Sequence, residues 1–223
     1  SDTNKLIDIF INTYCETLFN EEDIKESKRK IHHEIKQRRD DWYTEANYLF
    51  KKALFKDHPY SLPLIGEIDS IEKLSKNDIN TFYKTLLNPS QMIISIQGKF
   101  NENNIIDKVE DNFSKLLPKK TKLQQKLKKH LKPTREIVSF NHDVTAIFIG
   151  FNGVPLTSKE SLKLELVNTV LTGINYPGGR LHSTLREKGY VYLIHGITFS
   201  GLEGGSFKIY ALTNKKHRNN VEK

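Results

Sequence analysis

Two side chains near the end of the chain, Arg186 and Tyr192, have the chemistry to act on one carbonyl group. A guanidinium and a phenol that lie close together can both donate hydrogen bonds to a carbonyl oxygen. Leu181 and Leu185, four residues apart, predict one buried face of a short helix, and Gly189 is of the type that ends a helix. Arg186 then lies in the last turn of this helix, and Tyr192 lies just inside the strand that follows it.

A second interpretation of the same two residues is purely structural. In it, Arg186 stabilises the negative C-terminal end of the helix electrostatically, and Tyr192 belongs to the core. Composition alone favours this interpretation. The glycine pair Gly178-Gly179 is a weak signal for phosphate binding, because the chain has neither a G-x-G-x-x-G nor a Walker motif.

The elements that position these residues follow from hydrophobic periodicity. Apolar residues three and four positions apart predict amphipathic helices, and short runs rich in β-branched and aromatic residues predict strands. Ser75 and Asp78 form a capping box before a helix whose inward residues include Phe82 and Leu86. Helices are predicted over residues 3–19, 21–39, 41–56, 76–87, 106–116 and 158–171, and strands over residues 92–97, 137–140, 144–151, 190–199 and 207–212.

A hairpin beside packed helices predicts the α+β class, with antiparallel sheet layers that carry helices on one face. The lysine-rich segment 118–135 is predicted to be a linker between residues 1–117 and residues 136–223. From Lys119 to Arg135 it contains seven Lys, one Arg and no acid, so the net charge of +8 arises from this segment alone. The run would suit nucleic-acid phosphates, but it has no interleaved aromatic residue and no recognised motif.

Composition narrows the classes of protein further. The chain is 37% hydrophobic, enough for a core, and contains no apolar run of the ~18 residues that a membrane span needs. No signal-peptide pattern opens the sequence, which favours a cytoplasmic location. The single Cys15 excludes an internal disulfide, and its apolar surroundings predict a buried, unreactive thiol.

The segment from Gly178 to Tyr192 resembles the second-domain signature of the pitrilysin/insulinase family of zinc metallopeptidases. That signature is a glycine-rich turn, Arg-Leu, Leu-Arg-Glu-Lys and then Gly-(apolar)-x-Tyr. The first half of the chain resembles the same family's first domain, downstream of its metal motif. The matching residues there are Ile31–Ile35, Asp40-Asp41, His58–Gly66, Ile71, Leu74, Phe82-Tyr83 and Asn88-Pro89.

The resemblance implies pitrilysin-like, processing-peptidase-like domains in two partial copies. Residues 1–117 would be the C-terminal part of a first peptidase-family domain, and residues 136–223 the N-terminal part of a second. In the family, such domains enclose a chamber in which a peptide substrate adds to a sheet edge beside the zinc. A homodimer or a heterodimer with a family partner is also implied.

For the metal, the resemblance singles out Glu34. In the family, two zinc ligands come from a His-x-x-Glu-His helix and a third from a Glu on a later helix, whose place Glu34 occupies. No His-x-x-Glu-His occurs in the chain, and Ser27 stands where the family often has a second acid. Neither the adjacent pair His32-His33 nor any other histidine has a recognised metal-binding spacing. The resemblance therefore implies zinc in the full-length parent, no catalytic residue in this chain, and no stoichiometric zinc in the chain alone.

For Arg186 and Tyr192, the resemblance implies contact with the substrate peptide. The connection to Tyr192 is one residue shorter than in the commonest family form. Tyr190 is therefore an alternative source of the phenol, because alternate residues of a strand point to the same face. The function implied is part of a zinc-dependent metalloendopeptidase that degrades or processes peptides. The alternatives are a non-catalytic partner subunit of the same family and, in another class, a nucleic-acid-binding module.

Overall fold

The computed structural model describes residues 2–116, 118, 127, 132–139, 142–173 and 178–223. They form two compact units. Unit 1 comprises Ser1–His33 and Glu67–Leu123, and unit 2 comprises Glu34–Gly66 and Gln124–Lys223. The predicted linker lies mostly outside the described residues, and the assignment of 1–117 and 136–223 to two partial domains stays a prediction.

Unit 1 is built from helices. The predicted capping box is present, since Asp78 N donates to Ser75 Oγ at 3.1 Å and Ser75 N donates to Asp78 Oδ2 at 2.8 Å. The helices are α1 (Asp2–Cys15), the first part of α2 (Glu21–Asp40), α4 (Ile68–Lys73), α5 (Lys76–Leu86) and α6 (Glu102–Phe113).

The core of unit 1 lies where α1, α5 and α6 meet. Ile11, Ile105 and Phe113 are buried there. The Tyr14 ring lies 6.3 Å from the Phe113 ring, and the Tyr83 hydroxyl donates to the Tyr14 carbonyl oxygen. Aromatic contacts and one partly buried hydrogen bond therefore join the three helices.

Two sequence predictions in unit 1 are wrong. Residues 92–97 form no strand, and Ile93 is 95% exposed. Phe82 and Leu86, predicted inward, are 65% and 51% exposed. Both differences have the same physical cause. The described part of unit 1 contains no strand that could pair with residues 92–97, and therefore no sheet that could cover Phe82 and Leu86 of α5.

Unit 2 contains a three-stranded antiparallel sheet in the order β1-β3-β2. β1 spans Val144–Gly153, β2 spans Leu193–Ser200 and β3 spans Gly205–Asn214. The central strand places Ala211 opposite both Ile147 and Ile194. The predicted strand at 137–140 is absent over the described residues 137–139, and the hairpin begins at Leu193 instead of Tyr190.

Helices pack on both faces of this sheet. On one face, α3 (Trp42–Phe55) brings the Tyr43 ring to 4.8 Å from the Tyr210 ring. On the other face, α7 (Glu160–Thr172) packs against β2. The α+β class and the antiparallel pairing are confirmed. The helices occupy both faces because the chain segment that contains α3 folds with unit 2.

The start of α3 explains one of the sequence motifs. Asp41 is the N-cap of α3, and its Oδ1 accepts from Thr44 N at 2.7 Å. Arg38, at the end of α2, lies 3.4 Å from Glu45 Oε2 and 4.4 Å from the centre of the Tyr48 ring. The Asp40-Asp41 bend thus fixes the turn between two helices.

Two side chains of α7 bind the backbone of the edge strand β2 at Gly196. Gly196 N donates to Thr172 Oγ1 at 3.1 Å, and Asn168 Nδ2 donates to the Gly196 carbonyl oxygen at 3.3 Å. A Cβ at position 196 would lie 2.0 Å from Asn168 Oδ1, so any larger residue would displace the Asn168 side chain. Both backbone polar groups of this residue are therefore occupied by the helix.

Lys208 is a buried cation between α3 and the sheet. Its Nζ lies 5.4–5.8 Å from the ring centres of Phe148, Tyr43 and Phe50, and it donates to Asn47 Oδ1. Burial and, to a smaller extent, the positive charge of Lys51 together lower the pKa of Lys208 from 10.5 to about 8. The aromatic rings attract the charge but do not compensate for its lost hydration.

Within the described ranges, no helix is both long and apolar enough to cross a membrane.

We predict that Lys208→Met stabilises unit 2. Between pH 8 and pH 10.5 the unfolded chain holds a proton that the folded chain has released, so the wild-type free energy of unfolding rises with pH there. The slope is at most ~1.4 kcal/mol per pH unit. Lys208→Met should remove the slope and add about 1–3 kcal/mol at neutral pH. Urea unfolding measures both quantities. Lys215→Met, at an exposed position, is the control, and equal slopes in wild type and Lys208→Met would contradict the prediction.

Candidate functional site

The segment that carries Arg186 is a short helix closed by a wide turn. It consists of α8 (Gly179–Leu181) and one π-helical turn over His182–Arg186. Glu187 N donates to the His182 carbonyl oxygen at 3.2 Å, and Tyr190 N donates to the Leu185 carbonyl oxygen at 2.9 Å. Both bonds join residues five positions apart. This π-helical geometry is rare in proteins as a whole, and where it occurs it is often at a functional site.

Two glycines with positive φ bound this segment. Gly179 has φ 75°, and a Cβ there would lie 2.6 Å from the Leu171 carbonyl carbon. Gly189 has φ 71°, which agrees with the predicted glycine at the end of the helix. The second glycine of the pair, Gly179, is thus explained by its positive φ and its close approach to the end of α7.

The helix is held in place by its apolar side. Leu181 and Leu185 pack against the buried cluster of Val191, Ile194 and Ala211. This confirms the predicted buried face of the helix. Arg186, one residue after Leu185, is consequently directed away from the cluster and is exposed.

The structure separates the two tyrosines. Tyr192 is 56% exposed, and its N–H donates to the Leu212 carbonyl oxygen at 2.8 Å. Tyr190 is half-buried, and its ring lies 5.3 Å from the His217 ring. Both residues precede β2, so the expected alternation along a strand does not apply to them. Tyr192 is the phenol that is open to a ligand, and it is not part of the core.

Two histidines, His182 and His195, lie near Arg186. Burial lowers the pKa of His195, and the positive charges of Arg186 and His182 lower it further. The His195 ring also lies 5.7 Å from the Tyr210 ring. His182 and His195 could not be identified from the sequence. They are 13 positions apart, and they come together only because the helix packs beside β2. The charged guanidinium of Arg186 suits a carbonyl or carboxylate oxygen.

Glu34 lies on α2, and it is exposed. Its neighbour Ile35 is fully buried, which places Glu34 at the border of the buried stripe, as the periodicity predicted. His32 Nε2 lies 3.0 Å from Glu72 Oε1, and His33 is exposed. In the described part of the chain, no group of three or more His, Cys, Asp or Glu side chains could hold a metal ion. The described residues therefore do not make up a zinc site.

Comparison with known proteins identifies the family. A sequence profile described as Peptidase M16 inactive domain matches residues 73–223. An uncharacterized zinc protease of Streptomyces coelicolor is 24% identical over 219 residues, which are 95% of this chain and 47% of that protein. Two further curated relatives, both uncharacterized zinc proteases, are matched over 50% of their length, so the chain spans about half the length of the curated relatives it matches.

Solved structures agree on the fold. The crystal structure of a peptidase M16 inactive domain from Pseudomonas fluorescens matches 99% of this chain and 54% of that chain, with TM-score 0.80 and 20% identity. A protease from Helicobacter pylori matches 98% of this chain and 55% of that chain, with TM-score 0.82 and 17% identity. The profile covers more than half of the chain, and the chain therefore belongs to the peptidase M16 family, the pitrilysin/insulinase family that its two sequence signatures predicted.

Proposed function

We propose that this chain is part of a zinc-dependent metalloendopeptidase that degrades or processes peptides. One observation carries the proposal: the family signature from Gly178 to Tyr192 forms a helix, a turn and a strand start, with both Arg186 and Tyr192 exposed. In this proposal the chain supplies groups that bind the substrate. Residues 1–117 and 136–223 belong to two successive partial domains of the parent.

Arg186 and Tyr192 would act by donating hydrogen bonds to the carbonyl oxygen of the peptide. The guanidinium is always charged, and Arg186 is exposed, so it is accessible to an oxygen of a bound peptide. A carbonyl oxygen gains negative charge as it is attacked, so donors aimed at it bind the transition state better than the substrate. The exposed phenol of Tyr192 would be the second donor.

Glu34 would be this chain's contribution to the metal. Its exposure leaves the carboxylate accessible to groups outside the chain, and it lies on a helix, which holds a ligand at a fixed position. The remaining zinc ligands would come from a His-x-x-Glu-His helix in the parent. The zinc site is then completed outside the described residues.

A non-catalytic partner subunit of the same family is the second candidate. The matching profile is that of an inactive domain, which is the observation in its favour. The parent sequence separates the two candidates: a His-x-x-Glu-His upstream of this segment supports the peptidase, and its absence supports the subunit. The nucleic-acid alternative depends on the Lys119–Arg135 run, which lies mostly outside the described residues.

We predict that the purified 223-residue chain neither binds stoichiometric zinc nor cleaves peptides. The reason is ligand number, because a catalytic zinc needs three protein ligands and the chain offers Glu34 alone. Metal analysis after dialysis against zinc, together with a fluorogenic peptide assay, measures both properties. One zinc per chain with peptide cleavage would contradict the prediction.

In the active parent, Glu34→Gln should lower zinc content and abolish turnover without unfolding the protein. The amide keeps the size of the side chain but loses the negative charge that the metal needs. Zinc content, kcat and thermal melting are measured on the same preparation. Glu22→Gln on the same helix is the matched control. Unchanged zinc in Glu34→Gln would remove this residue from the metal site.

Arg186→Ala and Tyr192→Phe should each lower kcat by ~10²-fold or more in the parent, with zinc content and melting temperature unchanged. The reason is the loss of a donor to the charge that develops on the carbonyl oxygen. Lys188→Ala, which removes an exposed cation two residues away, is the control for charge alone. Tyr190→Phe determines whether the other phenol has the role instead. Wild-type kcat/KM in both Arg186→Ala and Tyr192→Phe would leave only a structural role for the pair.

A further inference from the structure

We infer that two buried side chains of α7, Asn168 and Thr172, close the outer edge of β2 against the addition of a further strand. The free edge of a sheet is where a second copy of a chain or an extended peptide can pair with it. The closure follows from the packing of unit 2, and it does not require the proposed peptidase function.

The backbone groups of alternate β2 residues point to this outer edge. In the described sheet, β2 is a terminal strand that has β3 on one side. In an antiparallel pair, the N–H and C=O of one residue point to the same side, and the side alternates from residue to residue. Both groups of Gly196 bind side chains of α7, so they point away from β3. By this alternation, the backbone groups of Ile194 and Thr198 also point outward, and Gly196 lies between them.

The hydrogen bonds at Gly196 form a closed ring. Gly196 N donates to Thr172 Oγ1 at 3.1 Å, and Asn168 Nδ2 donates to the Gly196 carbonyl oxygen at 3.3 Å. The Thr172 hydroxyl donates to Asn168 Oδ1 at 2.9 Å. Each of the two side chains thus binds one backbone group of Gly196 and also binds the other side chain. A further strand would have to break this ring in order to pair with Gly196.

The burial of α7 shows that polar side chains occupy its contact with β2. Asn168 is 7% exposed and Thr172 is 1% exposed. The apolar side chains of Leu162, Leu166 and Val170, on the same helix, are exposed. A buried polar side chain costs free energy unless it is hydrogen-bonded, and here the backbone of Gly196 supplies the partners. The helix therefore directs polar groups to β2 because the outer backbone of this strand requires them.

The polar contact continues along the strand. Glu165 Oε1 accepts from the Thr198 hydroxyl, next along the outward-pointing residues of β2. Glu165, Asn168 and Thr172 are three and four positions apart, so they lie on one side of α7. A glycine between the two strand contacts lets this side of the helix come close, because a Cβ at position 196 would collide with Asn168. A polar stripe of α7 thus follows the outer residues of β2.

The closed edge has a consequence for the proposed function. If this chain acts in a peptidase, a peptide bound by Arg186 and Tyr192 does not extend along β2 as an added strand, because the edge there is occupied by α7. This consequence rests on the proposed function, whereas the closure itself is a property of the isolated chain and is tested on it.

The test uses the 223-residue chain and a fluorescent peptide with the sequence of β3, Gly205–Asn214, which is the strand that pairs with β2. Asn168→Ala and Thr172→Ala together remove the two side chains that close the edge. Thr169→Ala, which removes a hydroxyl that bonds to the backbone of α7 itself, is the matched control. Fluorescence anisotropy should show that the peptide binds the double variant about tenfold or more tightly than it binds wild type or the control.

N-methylated peptides show whether this binding is strand addition. A strand bonds to its neighbour through alternate N–H groups, so methylation of one alternate set should abolish binding and methylation of the other set should not. Equal effects of the two sets, or equal affinity of wild type and the double variant for the peptide, would overturn the inference.

Hydrogen exchange of the wild-type chain gives a second decision that needs no variant. The Gly196 amide should exchange about tenfold or more slowly than the Thr198 amide, which points to the same edge, because Thr172 accepts its hydrogen bond. Equal exchange of the two amides would overturn the inference even if the double variant fails to fold. Neither measurement depends on zinc or on peptide cleavage, so each result bears on the edge of β2 alone.

Discussion

The pairing of β3 on both sides is the constraint on which unit 2 depends. β1 and β2 are not neighbours in the sheet, and in the described sheet the strand that each pairs with is β3. On one face, Ala211 of β3 supports the cluster against which Leu185 packs, and so it determines where Arg186 lies. On the other face, Lys208 and Tyr210 of β3 meet α3. The same strand, β3, thus contributes residues to the packing beneath the candidate site and to the packing against α3.

Burial lowers the pKa of two basic side chains of the sheet, Lys208 beside α3 and His195 near the candidate site. Lys208 is a buried cation surrounded by aromatic rings, and the loss of hydration lowers its pKa more than the rings can offset. Near the site, His195 is half-buried, and its pKa is lowered first by burial and then by Arg186 and His182. Both regions thus resist additional positive charge. The site near Arg186 would bind a negatively charged oxygen atom best. This preference is expected of a site that binds a reacting carbonyl group.

The sequence predicted best what local patterns determine. The Ser75–Asp78 capping box, the glycine that ends the Arg186 helix, and the buried side of Leu181 and Leu185 all depend on residues within a few positions of each other. The predictions of strands at residues 92–97 and 137–140 were wrong over the described residues, because a β-type pattern forms a strand only where a partner strand is present. The difference between Tyr190 and Tyr192 was also not predictable. It depends on the start of β2 and on the contact with His217, which lies 27 residues away.

In the proposed function, Arg186 and Tyr192 donate hydrogen bonds to the same oxygen atom of a bound peptide. A double-mutant cycle in the zinc-loaded parent tests it most directly, with kcat/KM measured for wild type, Arg186→Ala, Tyr192→Phe and the double variant. If both groups bind one oxygen, their effects are coupled, and the double variant loses less than the product of the two single losses by a factor of about 3 or more. Losses that multiply within error, or no loss in either single variant, would contradict the claim.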